Sequence, residues 1–404
     1  MISLKRVLKN LLKESTNPET IKKIEKTISR FGGESFIVGG AVRDEMLGIA
    51  SKDVDFLITG MPLEKIEKVL SSLGKVSEVG KSFGIVKAMI DGEEFDFAIP
   101  RTAEVKTGAR HGDFSVKTDP NASPKDDLGR RDFTINALAK DRNGKILDLF
   151  GGVDDLKKGL IRTVGNPSDR FNEDPLRMLR ALQFASRFGF KIEEETVRTI
   201  KALKSKLSTL PAERILQEFV KAWTKSKDVE IFISSLEESG VGKFLFGNDF
   251  NPVPVNIKGN EDQKKFANFI AFFVNGGDEK KLKPDNEMLM FLAFARSLMS
   301  GKDLFQLKGI KSNREKIDLL KSVFDEMHHS TKKREFRDVS ERIKNSKDLP
   351  ISADELKLTG GDLMNMGLKG KQIGAAQNHL MTGVYSRKVR NDKEDLLRFL
   401  NHET

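Results

Sequence analysis

The stretch GGAVRDEMLGIASKDVDFLITG, residues 39–60, decides how the first part of the chain is read. Upstream, ESFIV (34–38) is a short apolar run ending in the glycine pair, and AVRDEMLG gives a helical turn or two closed by Gly48. An apolar strand follows that carries two aspartates one residue apart. Side chains alternate along a strand, so Asp53, Asp55 and Leu57 are expected on one face and Val54, Phe56 and Ile58 on the other. The second face reads as core. The first concentrates two carboxylates, which repel each other unless a cation, a basic side chain or water separates them.

Working outward, PLEKIEKVLSSLG (62–74) has helical apolar spacing with Gly74 as a stop, and FGIVKAMIDGEEFDFAIP (83–100) reads as two strands joined at Asp91-Gly92. On the second of these, Phe95 and Phe97 face one way while Glu94, Asp96 and Ala98 face the other. Glycines let a phosphate chain approach the backbone, and the helix that follows Gly39-Gly40 offers its free N–H groups to anions. Asp53, Asp55 and Asp96 are therefore candidates for a three-carboxylate cluster that holds two Mg²⁺ ions roughly 3.5–4 Å apart. The plain alternative is a solvent-facing strand whose acids pair with Lys or Arg. Residues 101–128 are polar, with Gly, Pro and Ser, and read as a mobile loop. Residues 1–30 look helical, and from about residue 175 onward the pattern is almost entirely helical, broken near 247–263 and 348–362.

The chain has 404 residues, which predicts about two to four modules. Charged residues make up 32% and apolar residues 38%, the balance of a soluble globular protein. No apolar run is long enough to cross a bilayer, and the N-terminal segment reads as an ordinary surface helix, so a cytoplasmic protein without a membrane partner is expected. Cysteine is absent, which excludes disulfides, thiolate zinc sites and cysteine nucleophiles. The five histidines (His111, His328, His329, His379, His402) have no metal-ligand spacing. A net charge of +10, spread along the chain, favours a polyanion such as nucleic acid.

Several stretches, taken in order, resemble the nucleotidyltransferase superfamily, in its branch of class II tRNA CCA-adding enzymes and bacterial poly(A) polymerases. They are GGAVRDEMLGIASKDVDFLI (39–58), DLGRRDFTINALAKD (127–141), the long run ILDLFGGVDDLKKGLIRTVGNPSDRFNEDPLRMLRALQFASRFGF (146–190) and LPAERILQEFVKAW (210–223), with a weaker echo in LTGGDLMNMGLKGKQIG (358–374). The resemblance implies an α/β head with a mixed sheet followed by an all-α neck, body and tail. Its expected bounds are an N-terminal helical segment 1–34, a catalytic head 35–145, a neck 146–223 that recognises the base, and a tRNA-binding body and tail 224–404.

The implied activity is template-independent addition of C, C and A to the acceptor end of tRNA from CTP and ATP, with Mg²⁺ and release of pyrophosphate. Asp53, Asp55 and Asp96 would be the catalytic metal ligands, and Gly39, Gly40 and Arg43 would meet the triphosphate. Arg131, Asp132 and Asn136 would hold the ribose, and Asp174, Arg177 and Arg180 the base. Locally, Asp132 and Asp174 also suit helix caps, and Arg43–Asp44 suits a surface ion pair. The base-reading role is chemically coherent: cytosine and adenine both present an exocyclic amine beside a ring-nitrogen acceptor, which a fixed acceptor (Asp174) beside a fixed donor (Arg177) accepts while rejecting uracil and guanine. Glu213 and Arg214 are expected to brace neck helices.

One departure is Gln183, where the family usually has arginine. Rival readings are a poly(A) polymerase, an enzyme adding only CC or only A, and a non-catalytic RNA-binding protein that retains the fold. GKSFGIVKAMI (80–90) has neither paired basic residues before Phe83 nor a histidine after it, which favours CCA addition. No histidine is followed by aspartate, so an appended His-Asp phosphohydrolase domain is excluded, and no obligate protein partner is evident.

Overall fold

A computed structural model describes residues 16–50, 53–77, 84–106, 114–302, 314–346, 349–350 and 352–402. The chain divides into two compact units, Met1–Pro211 and Ala212–Thr404. The expected start of the N-terminal helix at residues 1–15 and the 80–83 stretch lie outside the described residues.

The first unit is built on a seven-stranded mixed sheet. Its strands are β1 (Glu34–Val38), β2 (Asp55–Thr59), β3 (Lys75–Ser77), β4 (Ile85–Ile90), β5 (Glu93–Ala98), β8 (Leu138–Asp141) and β9 (Ile146–Asp148), in the order β3-β4-β5-β2-β1-β8-β9. Only β2 and β5 run parallel, and their register sets Asp55 opposite Asp96 and Phe56 opposite Phe97. The β4–β5 turn is made by Asp91 (φ 50°) and Gly92 (φ 83°), both left-handed as a tight hairpin turn requires. Phe56 stacks on Phe97 with ring centres 5.1 Å apart, and Phe95 closes the cluster at 6.0 Å from Phe56. Val86 and Ala88 lie opposite Phe97 and Phe95, so this face is fully apolar.

The other face is not all polar. Leu57, on the same side as Asp55, is buried with Phe36, Val38, Leu128, Ala137, Ala139 and Val164. The sheet is therefore covered on both faces, and the carboxylates sit at the rim of this second layer. Helix Pro18–Arg30 begins where Asn17 Oδ1 accepts the Glu19 N–H at 2.9 Å and Pro18 fills the first turn. It buries Ile24 and Ile28 against the sheet next to β1.

Residues 101–118 correct the expectation of a mobile loop. Arg101–Lys106 (β6) and Phe114–Thr118 (β7) form an antiparallel hairpin, and Pro124–Leu128 is a short helix. Thr102, Val105, Phe114 and Val116 supply β-prone residues that polar composition alone masked. Residues 107–113 at its tip lie outside the described residues. After β9 come helices Gly152–Lys158, Pro167–Glu173, Leu176–Phe188 and Glu194–Leu203.

The second unit is helical. Helices Ala212–Lys225, Val229–Ser239, Val241–Phe246 and Glu261–Phe273 enclose an aromatic core of Phe219, Trp223, Phe232, Phe246 and Phe272. Near its end, helices Gly360–Asn365, Lys371–Tyr385 and Lys393–His402 share a separate core around Leu363, Leu380, Met381 and Leu396. The first predicted break holds no helix until Glu261, where Glu261–Phe273 begins, and the second is interrupted, among the described residues, by a single 3-10 turn at Ala353–Glu355 before helix Gly360–Asn365 starts. Among the described residues no helix is long and apolar enough to cross a membrane.

Candidate active site

The carboxylate face of β2 and β5 forms the floor of a cleft of about 520 Å³, within the range of small-molecule sites. Its walls come from the glycine-pair helix Gly40–Met46, from residues 127–136, and from Glu173 to Phe184. All of these belong to the first unit. Charges of both signs line it: Arg43, Arg101, Arg130, Arg131, Arg177 and Arg180 against Asp55, Asp96, Asp127, Asp132, Glu173 and Asp174.

On the floor, crowding by surrounding protein raises the pKa of Asp55, the neighbouring Asp96 charge adds to the rise, and Arg131 opposes it. Lys87, opposite Asp96 in the β4–β5 ladder, donates to both of its carboxylate oxygens at 2.7 and 3.0 Å and to Glu94 Oε1 at 3.2 Å. Those hydrogen bonds, Asp96 first, raise the Lys87 pKa. Asp53 lies two residues before Asp55. It precedes the first ladder residue of β2, so pleating does not fix its direction. It acts on Asp55 through its charge but is not a lining residue, and among the described residues no three acids lie close enough to hold a metal. The strand is therefore shorter than its sequence suggested, beginning at Asp55 and not at Asp53, and Asp55 and Asp96 are the two of the three carboxylates that line the cleft.

The glycine pair has a steric role as well as a conformational one. Gly39 has φ 71°, and a side-chain carbon there would collide with Arg131 Nη1. Arg131 is held above it by Asp127 Oδ2, 3.1 Å from Nη2, and by the Asn136 carbonyl, 3.3 Å from Nη1. Gly40 lines the cleft, and a side-chain carbon there would meet Arg43 Nη2 only at ordinary contact distance.

Arg43 is not a surface residue. It is 4% exposed, and it donates to Asp44 Oδ1 through Nε at 2.8 Å and to Asn136 Oδ1 through Nη1. Its guanidinium lies 4.8 Å from the Phe188 ring centre and 5.3 Å from that of Phe184. Burial lowers its pKa, with Asp44 acting against the fall. Arg187 reaches Asp44 Oδ2 at 3.5 Å from the other side.

Asn136 continues this chain of bonds. Its Nδ2 donates to Asp132 Oδ1 at 3.0 Å, the same oxygen that accepts the Phe133 N–H at 2.9 Å. Arg180 holds the other oxygen, with Nε at 2.8 Å. Burial alone would raise the Asp132 pKa; the Arg180 charge and the hydrogen bonds from Asn136, Arg180 and the Phe133 N–H outweigh it and hold the carboxyl below its ordinary value. Asp132 thus serves an internal network where a helix cap was the plain expectation. Arg180, expected to face the base, has its charge on Asp132 and lies 5.1 Å over Phe184.

Asp174 caps the following helix as expected, with Oδ1 accepting the Leu176 N–H at 3.0 Å. Arg177 is held in a fixed orientation by Glu173 Oε2 at 2.7 Å, the Arg170 carbonyl at 3.2 Å and the Arg130 carbonyl at 2.8 Å. Both line the cleft. Gln183 does not: it is 2% exposed, and its Nε2 has no hydrogen-bond partner among the described residues. Arg101, Asp127 and Arg130 are lining residues that the sequence reading did not single out. The i, i+4 spacing of Asp127 and Arg131 was the available signal for one of them. In the second unit, Glu213 pairs with Lys283 at 3.0 Å.

A family model described as "Poly A polymerase head domain" matches residues 35–162, and one described as "Probable RNA and SrmB- binding site of polymerase A" matches residues 189–249. A CCA-adding enzyme of Ligilactobacillus salivarius is 33% identical over 94% of this chain and 96% of its own length. That of Lactobacillus delbrueckii subsp. bulgaricus is 31% identical over 91% and 94%. Among solved structures, the Bacillus stearothermophilus CCA-adding enzyme in complex with CTP superposes with a TM-score of 0.69 at 22% identity, covering 96% of this chain and 98% of that one. The Thermotoga maritima CCA-adding enzyme complexed with tRNA gives 0.66 at 23%, covering 98% of both. These last two establish the shared fold, and the end-to-end sequence kinship establishes the relationship: the chain belongs to the family of CCA-adding enzymes, nucleotidyltransferases that carry a poly(A)-polymerase-type head.

Proposed function

We propose that this chain adds C, C and A, one nucleotide at a time and without a nucleic-acid template, to the 3′ acceptor end of tRNA in the cytoplasm, taking them from CTP and ATP. The observation that carries the reading is the full-length kinship with CCA-adding enzymes, joined to a cleft in which a carboxylate floor faces Asp174 and Arg177. In this reading the head spans 35–145, the neck 146–223, and the basic helical body and tail 224–404 grip tRNA through phosphates and 2′-hydroxyls.

Each part of the cleft takes a role from its chemistry. Asp132 and Asn136, fixed by Arg180 and Arg43, present polar groups to the ribose, where a deoxynucleotide lacks the 2′-hydroxyl. Arg131, poised over Gly39, carries positive charge to the triphosphate side together with the backbone of Gly39 and Gly40. Arg43 acts from beneath, orienting Asn136 and supplying charge through the protein. Asp174 and Arg177 read the base edge; Arg177 is held rigidly enough to reject a mismatched donor–acceptor pattern, because a wrong base leaves buried polar groups unpaired.

Asp55 and Asp96 fit a divalent cation, Mg²⁺ in our proposal: two hard oxygen donors stand opposite each other on adjacent strands, and their mutual repulsion already disfavours the ionised pair. Asp53, two residues before Asp55, is the third candidate ligand. Bound there, the metal would supply activation of the tRNA 3′-hydroxyl and neutralisation of the pyrophosphate leaving group. The test is incubation of the protein with Mg²⁺, a tRNA lacking its CCA end and each labelled nucleotide, singly and together. Two C additions from CTP alone and a single A only when ATP joins are expected. A long A ladder from ATP alone would make the chain a poly(A) polymerase instead, and arrest after CC, or A addition only, would make it a partial enzyme.

A further inference from the structure

Lys87 occupies the carboxylate that a metal would need. Its ammonium bridges both oxygens of Asp96, at 2.7 and 3.0 Å, and the strand register keeps it there: Lys87 stands directly opposite Asp96 in the β4–β5 ladder. Two residues earlier on β5, on the same face, Glu94 already holds the same nitrogen at 3.2 Å. A cation on Asp96 lowers the negative charge available to a divalent ion.

We propose that Lys87 is a built-in competitor for the metal at Asp96, with Glu94 as the carboxylate to which its ammonium moves when the metal binds. The inference rests on the metal reading given above. In the metal-free protein Lys87 neutralises Asp96 and relieves its repulsion with Asp55. When a divalent ion arrives, a short rotation of the flexible lysine stem transfers the ammonium wholly to Glu94, which needs no backbone movement because that contact already exists. Removing the lysine removes the competitor; removing the Glu94 charge removes its resting place and leaves Lys87 on Asp96. The two substitutions therefore shift metal affinity in opposite directions. Because Glu94 acts through Lys87, the Glu94→Gln effect disappears in the Lys87→Met background, whereas two charges acting on the metal independently would add.

The experiment is a titration of the full-length protein with Mn²⁺, free ion counted by electron paramagnetic resonance, for the wild type, Lys87→Met, Glu94→Gln and the double variant. In the double variant Glu94→Gln is expected to cause no further weakening; an unchanged effect of about twofold there would overturn the competitor role. Lys87→Met is expected to bind Mn²⁺ roughly two- to fivefold tighter, the fold-change typical of a half-exposed ion pair, and Glu94→Gln about twofold weaker. Lys87→Gln, which keeps a polar head on the half-exposed side chain, replaces Lys87→Met in the cycle where the latter fails to fold. Unchanged or weaker binding by folded Lys87→Met, or tighter binding by Glu94→Gln, would overturn the competitor role while leaving the metal site standing. Absence of Mn²⁺ binding in the wild type and both variants would overturn the metal reading and this inference together.

Discussion

Arg180 grips one oxygen of Asp132 with two nitrogens, Nε at 2.8 Å and Nη2 at 2.6 Å. The carboxylate is nearly buried, whereas the guanidinium keeps about a third of its surface open, 32% against 9% for the two side chains. Arg180→Met strands that buried charge and is expected to destabilise the first unit by about 2–4 kcal/mol, the lower part of the range for broken buried pairs because one partner is solvated. Asp132→Asn/Arg180→Met should cost less than the sum of the single changes. Denaturant melts of the four proteins measure this, and strict additivity would contradict the pairing.

Arg43 tests the ribose assignment from a distance. Its Nη1 orients Asn136, yet at 4% exposure it does not present its charge to solvent. Asn136→Ala is expected to narrow the preference for CTP over dCTP by about tenfold, the loss of one well-placed hydrogen bond. Arg43→Lys, which cannot reproduce the planar fork, should narrow the same ratio in the same direction. The ratio of kcat/KM values for the two nucleotides is the readout, and an unchanged ratio in both variants removes the pair from ribose selection.

Gln183 is buried, with an Nε2 unpartnered among the described residues, and lines no part of the cleft. Replacing it with Met keeps the volume and deletes the unsatisfied Nε2, so stability should stay within about 1 kcal/mol of wild type with nucleotide kinetics unchanged. A fall in kcat/KM for CTP without loss of stability would mean that Gln183 serves substrate after all.

The last unit carries an acid-sensitive clasp. Asp362 Oδ1 lies 2.7 Å from Lys393 Nζ, while Oδ2 accepts from the Thr359 hydroxyl and N–H at 2.7 and 2.9 Å. These bonds, the lysine first, lower its pKa to about 2. A carboxyl with a depressed folded-state pKa stabilises fully above its unfolded value, roughly 3.9, and loses that contribution as pH falls toward the folded one. Asp362→Asn should therefore lower the melting temperature at pH 6, and the gap to wild type should close between about pH 4 and pH 2. A gap that stays constant over that window would contradict the clasp.

How much of this was legible beforehand depends on what each signal encodes. The Asp91-Gly92 hairpin, the apolar Phe95/Phe97 face and the helix closed by Gly48 follow from local chemistry, and the structure has all three. Leu57 did not follow, because alternation tells which residues share a face but not that a second layer covers it. The strand start did not follow either, because apolar alternation continues through Val54 while the β2 ladder begins only at Asp55. The β6–β7 hairpin was missed because its polar residues mimic a loop and its partner strand is known only from pairing. Arg43 shows the deepest limit: adjacent Arg and Asp look like a surface pair until Asn136, Phe184 and Phe188, far along the chain, close over them. Lys87 on Asp96 likewise becomes visible only once the ladder register is fixed.

The central claim is that the Asp55/Asp96 floor performs the chemistry, and Asp55→Ala tests it most directly. Single-turnover transfer of labelled CMP to a tRNA lacking its CCA end should fall by about 10³-fold or more, while tRNA affinity in a filter-binding titration stays within about twofold of wild type. Transfer within about tenfold of wild type, with tRNA binding intact, would contradict the account.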